Sequence, residues 1–494
     1  MNYISTRDKS VKITASKAIL SGISAEGGLF VPDEFPQLNR DNINNLCKLD
    51  YIGRAKYVLS YFLNDFTAAE VTACLNGAYK GNFDNDNPAP IAVLGENETV
   101  LELWHGRTCA FKDLALSLLP YLLTTSAKKS GDGKKTVILV ATSGDTGKAA
   151  LEGFKDVEDT EIIVFYPSDG VSPMQKLQMA SQDGKNVHVC AINGNFDDAQ
   201  SAVKKIFTDI AIKEQLSNNG MRFSSANSIN WGRLAPQIVY YVSVYCDMLN
   251  KGDNLDKGFN IVVPTGNFGN ILAAYYAKKM GVPVNKLICA SNVNNVLTDF
   301  INTGVYDRNR KFYTTVSPSM DILISSNLER LIFELSGLDD EYVKNIQQNL
   351  AAYGKYTVTE QIKNKIGGLF YADCCDDEET LNTINKTFKD YGYLCDTHTA
   401  VAVGVYNKYV KATGDTRPAV IASTASPYKF TRSVLTAIGG NPADNEFENV
   451  KLLSEITHTE IPEPIKNLEN AKVRFNEVYG KENIKEAVFK SLEI

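Results

Sequence analysis

The chain has 494 residues, 44% hydrophobic and 22% charged, with 58 acidic against 51 basic side chains and a formal net charge of -7. That length exceeds one ordinary hydrophobic core, so two or three globular domains are expected. The acidic balance, with no basic run, excludes a general nucleic-acid role, which needs clustered cations against phosphate.

The first ten residues are polar and lack the apolar stretch of a secretion signal, and the apolar run near 114–123 is short and broken by Pro120. Nine cysteines are scattered without a disulfide framework. These features predict a cytoplasmic protein with free thiols and no membrane contact. His105, His188, His398 and His458 share no ligand spacing with the cysteines, so no metal site is expected.

In chain order, 16–23 has helical amphipathic spacing, Gly27-Gly28 makes a turn, and Leu29-Phe30-Val31 is a strand that Pro32 stops. Residues 1–95 read as a largely helical N-terminal domain whose end, 82–90, is an Asn-, Asp- and Pro-rich linker. Strands then alternate with helices: strands at 137–141, 162–166 and 187–192, helices at 148–155, 173–181 and 196–216. Such alternation predicts βαβ units and a parallel sheet. A second series starts with strands at 261–263 and 286–290 and ends with one at 419–422. The fold class is therefore α/β, with two lobes of mostly parallel sheet and the helical N-terminal unit. The small α/β domain takes 134–234 and the large domain 96–133 and 235–440, with a ligand cleft between them. Residues 325–415 carry charged amphipathic helices, and 441–494 read as a helical tail.

Five stretches carry candidate chemistry. In His105-Gly106-Arg107-Thr108-Cys109-Ala110-Phe111-Lys112-Asp113, Lys112 lies between an apolar pair and an apolar run. Burial there disfavours the ammonium, and a neutral amine is a nucleophile suited to a Schiff base. The alternative is an ordinary lysine with its stem on apolar surface and its charge in water. Strand 261–263 runs into Thr265-Gly266-Asn267-Phe268-Gly269-Asn270 and a helix, either a geometry that aims free N–H groups at an anion or an ordinary tight βα turn. The glycine spacing is wrong for a dinucleotide fold, no acid ends the next strand, and neither this turn nor 142–149 completes a P-loop. Ser143-Gly144-Asp145-Thr146-Gly147 takes the same place in the other lobe, as a carboxylate site or a capping turn. Ser225-Ala226-Asn227-Ser228-Ile229-Asn230-Trp231-Gly232-Arg233 is an anion site or a polar loop. Thr424 in Ser423-Thr424-Ala425-Ser426-Pro427 offers one neutral hydrogen bond or caps a turn.

Taken in order, these motifs resemble those of the threonine synthase family, pyridoxal-phosphate enzymes of the tryptophan-synthase-β fold type (fold type II). The resemblance extends to Tyr3-Ile4-Ser5-Thr6-Arg7, to 26–32, to Ser317-Pro318-Ser319-Met320-Asp321-Ile322, to Ser326-Asn327-Leu328-Glu329-Arg330, and to Asp396-Thr397-His398-Thr399-Ala400-Val401. Arg107 and Cys109 depart from it, standing where the family usually has Pro and Leu. The resemblance implies that Lys112 carries pyridoxal 5'-phosphate covalently and that Gly266, Asn267, Phe268, Gly269 and Asn270 hold its phosphate. It implies that Thr424 meets the pyridine nitrogen. The implied substrate is O-phospho-L-homoserine, its carboxylate on Ser143, Asp145 (by its amide) and Thr146 and its phosphate on Asn227, Ser228 and Arg233. The implied reaction is a lyase's γ-elimination of phosphate followed by β-addition of water to give L-threonine, in amino-acid biosynthesis, by a monomer or homodimer. A sister lyase releasing 2-oxobutyrate and a non-catalytic ligand-binding protein on the same fold are the alternatives.

Overall fold

The computed structural model describes every residue except 143, 169, 170, 172 and 195, and of 173, 196, 197, 200, 201, 204 and 208 only the backbone. Near the N-terminus a three-stranded antiparallel sheet, in the order Asp8–Ile13, Tyr3–Ser5, Phe30–Pro32, supports four helices between Ala15 and Tyr79. The first, Ala15–Ser21, is capped by the Thr14 side chain and ended by Gly22 at φ 71°, as its amphipathic spacing predicts. Trp231 fastens this unit to the rest. Its ring lies 5.4 Å from Tyr3, 5.6 Å from Phe62 and 5.9 Å from Tyr276, pairs each worth about 1 kcal/mol beyond burial.

The large lobe is built on six strands in the order Phe370–Cys374, Val284–Ser291, Phe259–Pro264, Ala419–Ser423, Glu98–Glu102, Ile91–Val93. All neighbours are parallel except the last pair. Phe259–Pro264 and Ala419–Ser423 are buried along their whole length, the pattern of a sheet covered on both faces. Ile91–Val93 belongs to this sheet although it falls within 1–95.

The small lobe has five parallel strands in the order Val478–Gly480, Val187–Asn193, Thr160–Pro167, Lys135–Ala141, Met221–Ser224. Two expectations are corrected here. The single helix expected over 196–216 is two, Phe196–Thr208 and Ile210–Asn218, because the Asp209 side chain accepts the Ile212 N–H and starts a new helix. The tail expected to be helical also supplies Val478–Gly480 as the edge strand. The helix Ile484–Leu492 then buries Ile484, Ala487, Val488 and Leu492 against the small lobe. The three residues Val478–Gly480 carry too little periodicity of their own to stand out within the tail. Among the described residues, no helix is long and apolar enough to cross a membrane.

Candidate active site

All five sequence-predicted loops leave the carboxyl ends of parallel strands, where open α/β sheets bind ligands. Glu98–Glu102 leads to Lys112, Ala419–Ser423 to Thr424, and Phe259–Pro264 to 266–270. In the small lobe Lys135–Ala141 leads to 142–147 and Met221–Ser224 to 225–233. Ala110 bridges Ala425, and the Phe111 N–H donates to Thr424 O at 2.8 Å. Lys112 and Thr424 are thereby held on neighbouring strand ends.

Lys112 begins the helix Lys112–Leu116, its side chain 13% exposed, with Nζ 3.8 Å from Asp145 Oδ2. Burial lowers its pKa to about 8, a shift that Asp145 opposes and the Lys429 and Arg233 cations reinforce. Asp145 opens the helix Asp145–Phe154 from the small lobe. Its Oδ1 pairs with Lys429 Nζ at 2.8 Å and accepts from Gln175 Nε2 at 3.0 Å, while Oδ2 accepts from Ser319 Oγ at 3.2 Å. Burial alone would raise its pKa, but Lys429 and Lys112 hold the carboxyl well below the usual range. Lys429 is itself buried and also donates to Thr108 O at 2.8 Å.

Arg233 sits at the start of the buried helix Trp231–Lys251 and donates through Nη1 to Ala226 O at 2.5 Å. Its Nε has no partner, and among the described residues no carboxylate pairs with it. Burial lowers its pKa to about 10. A buried guanidinium without a counter-ion is an anion receptor in waiting. Asn227 and Ser228 are half-buried in the loop before it, with the Asn227 N–H turned back to Ser225 Oγ at 3.2 Å. Thr146 is half-buried and, with Asp145, contributes a first-turn N–H to the helix end. Ser143 lies outside the described residues.

The 266–270 loop is braced entirely by neutral groups. Gly266 O accepts Ser325 Oγ at 2.7 Å, and Asn267 O accepts both N–H and Nδ2 of Asn327 at 3.2 and 3.1 Å. Asn270 Oδ1 accepts the hydroxyls of Tyr240 and Tyr241, which leaves its buried Nδ2 without a partner. Among the described residues no protein acceptor meets the N–H groups of 266–270. Phe268, at φ 63°, caps the helix Gly269–Lys279, and its ring packs 5.8 Å from Phe370. A Cβ on Gly266 would stand 2.9 Å from Ser319 O, so the backbone approach here requires glycine.

Family comparisons cover most of the chain. A threonine synthase N-terminus family matches residues 2–79, a pyridoxal-phosphate-dependent enzyme family residues 94–424, and a threonine synthase C-terminal family residues 399–488. Threonine synthase of Pseudomonas aeruginosa is 39% identical over 90% of this chain and 92% of its own. The chain belongs to the threonine synthase family of pyridoxal-phosphate-dependent enzymes. Human threonine synthase-like 1 is 40% identical over 88% of this chain, which spans 60% of that relative's length. The structure of pyridoxal-phosphate-bound threonine synthase from Brucella melitensis superposes with a TM-score of 0.88, at 37% identity over 99% of both chains.

The family's cofactor suits the residues present. The partnerless N–H groups of 266–270 and the orphaned Asn270 Nδ2 make a receptor for a phosphate dianion. A buried amine of lowered pKa follows the strand Glu98–Glu102, which Ala419–Ser423 separates from Phe259–Pro264 in the same sheet. Of the two family departures, Arg107 is exposed to solvent, while Cys109 lies in an apolar cluster with Met174, Cys395 and Tyr428, where burial pushes its thiol up to about 12.

The sequence motifs around Lys429, Ser319, His398 and Arg330 gave those residues no work. Arg330 is fully buried and donates to Phe30 O, Asn327 Oδ1 and Ile229 O. One guanidinium thus ties the N-terminal sheet, the brace of the 266–270 loop and the loop before Arg233. The signal for it was an arginine inside an otherwise apolar helix face, in Leu328–Leu335.

Proposed function

We propose that the chain is a threonine synthase, converting O-phospho-L-homoserine and water to L-threonine and phosphate. The observation that carries the reading is one buried amine of lowered pKa, Lys112, in a site with two separate sets of unpartnered donors, the 266–270 loop and the Arg233 guanidinium. A substrate bearing its own phosphate needs a receptor besides the one that holds the cofactor. In this reading Lys112 anchors the cofactor in the resting enzyme, Gly266, Asn267, Phe268, Gly269 and Asn270 hold its phosphate, and Thr424 would offer a neutral hydroxyl to the ring nitrogen. When bound, the cofactor supplies an electron sink that acidifies the substrate's Cα–H and Cβ–H bonds.

The protein's own groups do the rest. Lys112 Nζ, with a pKa of about 8, is near the value at which a base both takes and returns protons at neutral pH. It removes the proton at Cα and then the one at Cβ, held beside both by the bound geometry. The amides of Asp145 and Thr146, with Ser143, orient the α-carboxylate at a helix N-terminus. Arg233, with Asn227 and Ser228, receives the departing phosphate through donors already aimed at the developing charge. Residues 96–133 and 235–440 act as the cofactor domain, 134–234 as the substrate-side domain, with 1–95 and 441–494 flanking them. All nine cysteines are unpaired, which fits a reducing, cytoplasmic setting, and a monomer or homodimer completes the proposal.

The test is a product assay. Incubation with O-phospho-L-homoserine should release threonine and phosphate in equal amounts. A main product of 2-oxobutyrate, or no phosphate release, would overturn the reading.

A further inference from the structure

The acid closest to Lys112 does not belong to the lobe that carries the lysine. Asp145 projects from the small lobe, and its carboxylate is engaged by large-lobe groups: Lys429 Nζ at 2.8 Å on Oδ1, Ser319 Oγ at 3.2 Å and Lys112 Nζ at 3.8 Å on Oδ2. Gln175 Nε2, from its own lobe, donates to Oδ1 at 3.0 Å. Gly144, at φ 142°, keeps that clamp open, since a Cβ there would stand 2.4 Å from Gln175 Nε2. A carboxylate so placed has more partners than a helix cap requires.

Ser319 is held in turn by a buried pair. Its N–H donates to His398 Nε2 at 3.1 Å, so Nε2 is bare and the imidazole carries its proton on Nδ1, which faces Asp396 Oδ2 at 2.7 Å. Asp396 is fixed by the N–H groups of His398 and Thr399 at 2.9 and 3.1 Å and by the Thr399 hydroxyl. His398 also acts electrostatically on Asp321, and its ring lies 4.9 Å from that of Phe430. The result is one line of contacts: Asp396, His398, Ser319, Asp145, Lys112.

We propose that Asp145, clamped by Lys429, Gln175 and Ser319, is the counter-ion that sets the charge on the Lys112 nitrogen, and that His398 with Asp396 positions it through Ser319. The inference rests on Lys112 being the cofactor lysine. The charged groups facing Lys112 are Asp145, Lys429, Arg233 and Asp113. Lys429 and Arg233 are cations that oppose protonation, and Asp113 is already spent on the Thr108 N–H and hydroxyl at 2.8 and 2.6 Å. Asp145 is left as the anion that can hold a proton on the lysine. With Ser319 removed, the carboxylate is free to turn wholly onto Lys429 and away from Lys112. Ser319 and His398 are positioning residues in this scheme.

The experiment is a pH titration of the holoenzyme, following the visible absorption of the cofactor bound at Lys112, whose midpoint reports protonation of that nitrogen. Asp145→Asn should lower the midpoint by about one to three pH units, the range for unit charges about 4 Å apart between bulk water and a protein surface. Ser319→Ala and His398→Asn should each lower it by a smaller and equal amount, and the double variant should move it no further than either alone. An unmoved midpoint in Asp145→Asn, or additive shifts in the double variant, would overturn the proposal. Should Asp145→Asn fail to fold, Ser319→Ala takes its place, and an unmoved midpoint there overturns the proposal equally. A native protein lacking a band that Lys112→Ala removes would overturn the cofactor reading and this proposal with it. A normal band with an unmoved midpoint overturns this proposal alone.

Discussion

The 266–270 loop and the loop before Arg233 occupy the same topological position, after a parallel strand, yet they are built from opposite materials. The 266–270 loop is braced by Ser325, Asn327, Tyr240 and Tyr241, none charged, and presents backbone N–H groups without a protein acceptor among the described residues. The other side carries buried charge: Arg233, with no counter-ion among the described residues, and Asp145 between Lys429 and Lys112. A neutral cradle keeps its shape at any pH and suits a group held through every turnover. A charged receptor is strong only while its protonation balance holds, which suits ligands that arrive and leave as anions.

This contrast can be broken most sharply at Lys112. Lys112→Ala should cost at least about a thousandfold in kcat and abolish the band that borohydride otherwise bleaches; a variant with normal turnover would end the assignment. Arg233→Met comes next. It should lower kcat/KM for the phosphorylated substrate about a hundredfold while leaving cofactor affinity unchanged in a direct titration. Weakened cofactor binding there would mean that the two receptors are not separate. Gly266→Val should do the reverse, weakening cofactor binding roughly tenfold or more because its side chain is driven into the Ser319 carbonyl, with little change in substrate KM at saturating cofactor.

The smallest effect concerns stability. His105 Nδ1 lies 2.7 Å from Asp84 Oδ1 and Nε2 2.9 Å from Glu102 Oε2, with the ring stacked on Trp104 at 4.2 Å. Burial lowers its pKa, but the two carboxylates outweigh that and raise it to about 9. Since the folded value lies above the unfolded one, the contribution is complete below about pH 6.5 and fades as pH rises through about 9. With screening at the exposed Asp84, this amounts to about 2 kcal/mol. Urea unfolding at pH 7 and pH 10 should register that loss in the native chain and not in His105→Gln. An equal loss in both would remove His105 from the account.

Much of the fold was legible because its signals are local. Apolar strands followed by polar turns and helices marked both lobes, and the strand before Gly266 together with its glycines marked an anion loop without knowledge of anything distant. One short strand was not legible. Val478–Gly480 has three residues and is a strand only because Val187–Asn193 offers it an edge. The break at Asp209, whose side chain caps Ile210–Asn218, falls inside apolar spacing that continues on both sides of it.

The site divided along the same line. Lys112, the 266–270 loop and Arg233 could be nominated from sequence because each stands in a chemically distinctive run. The charge balance could not, since Asp145, Ser319, His398 and Lys429 are separated by up to 284 positions and none is unusual among its own neighbours. Sequence by itself determined which loops would lie at strand ends and which backbone amides would be free, because strand, glycine and helix-start preferences act over a few residues. Only the tertiary structure decided that an acid of the small lobe would face two large-lobe lysines. Burial and Coulomb interaction depend on distances through space, and those exist only once the two lobes are packed together.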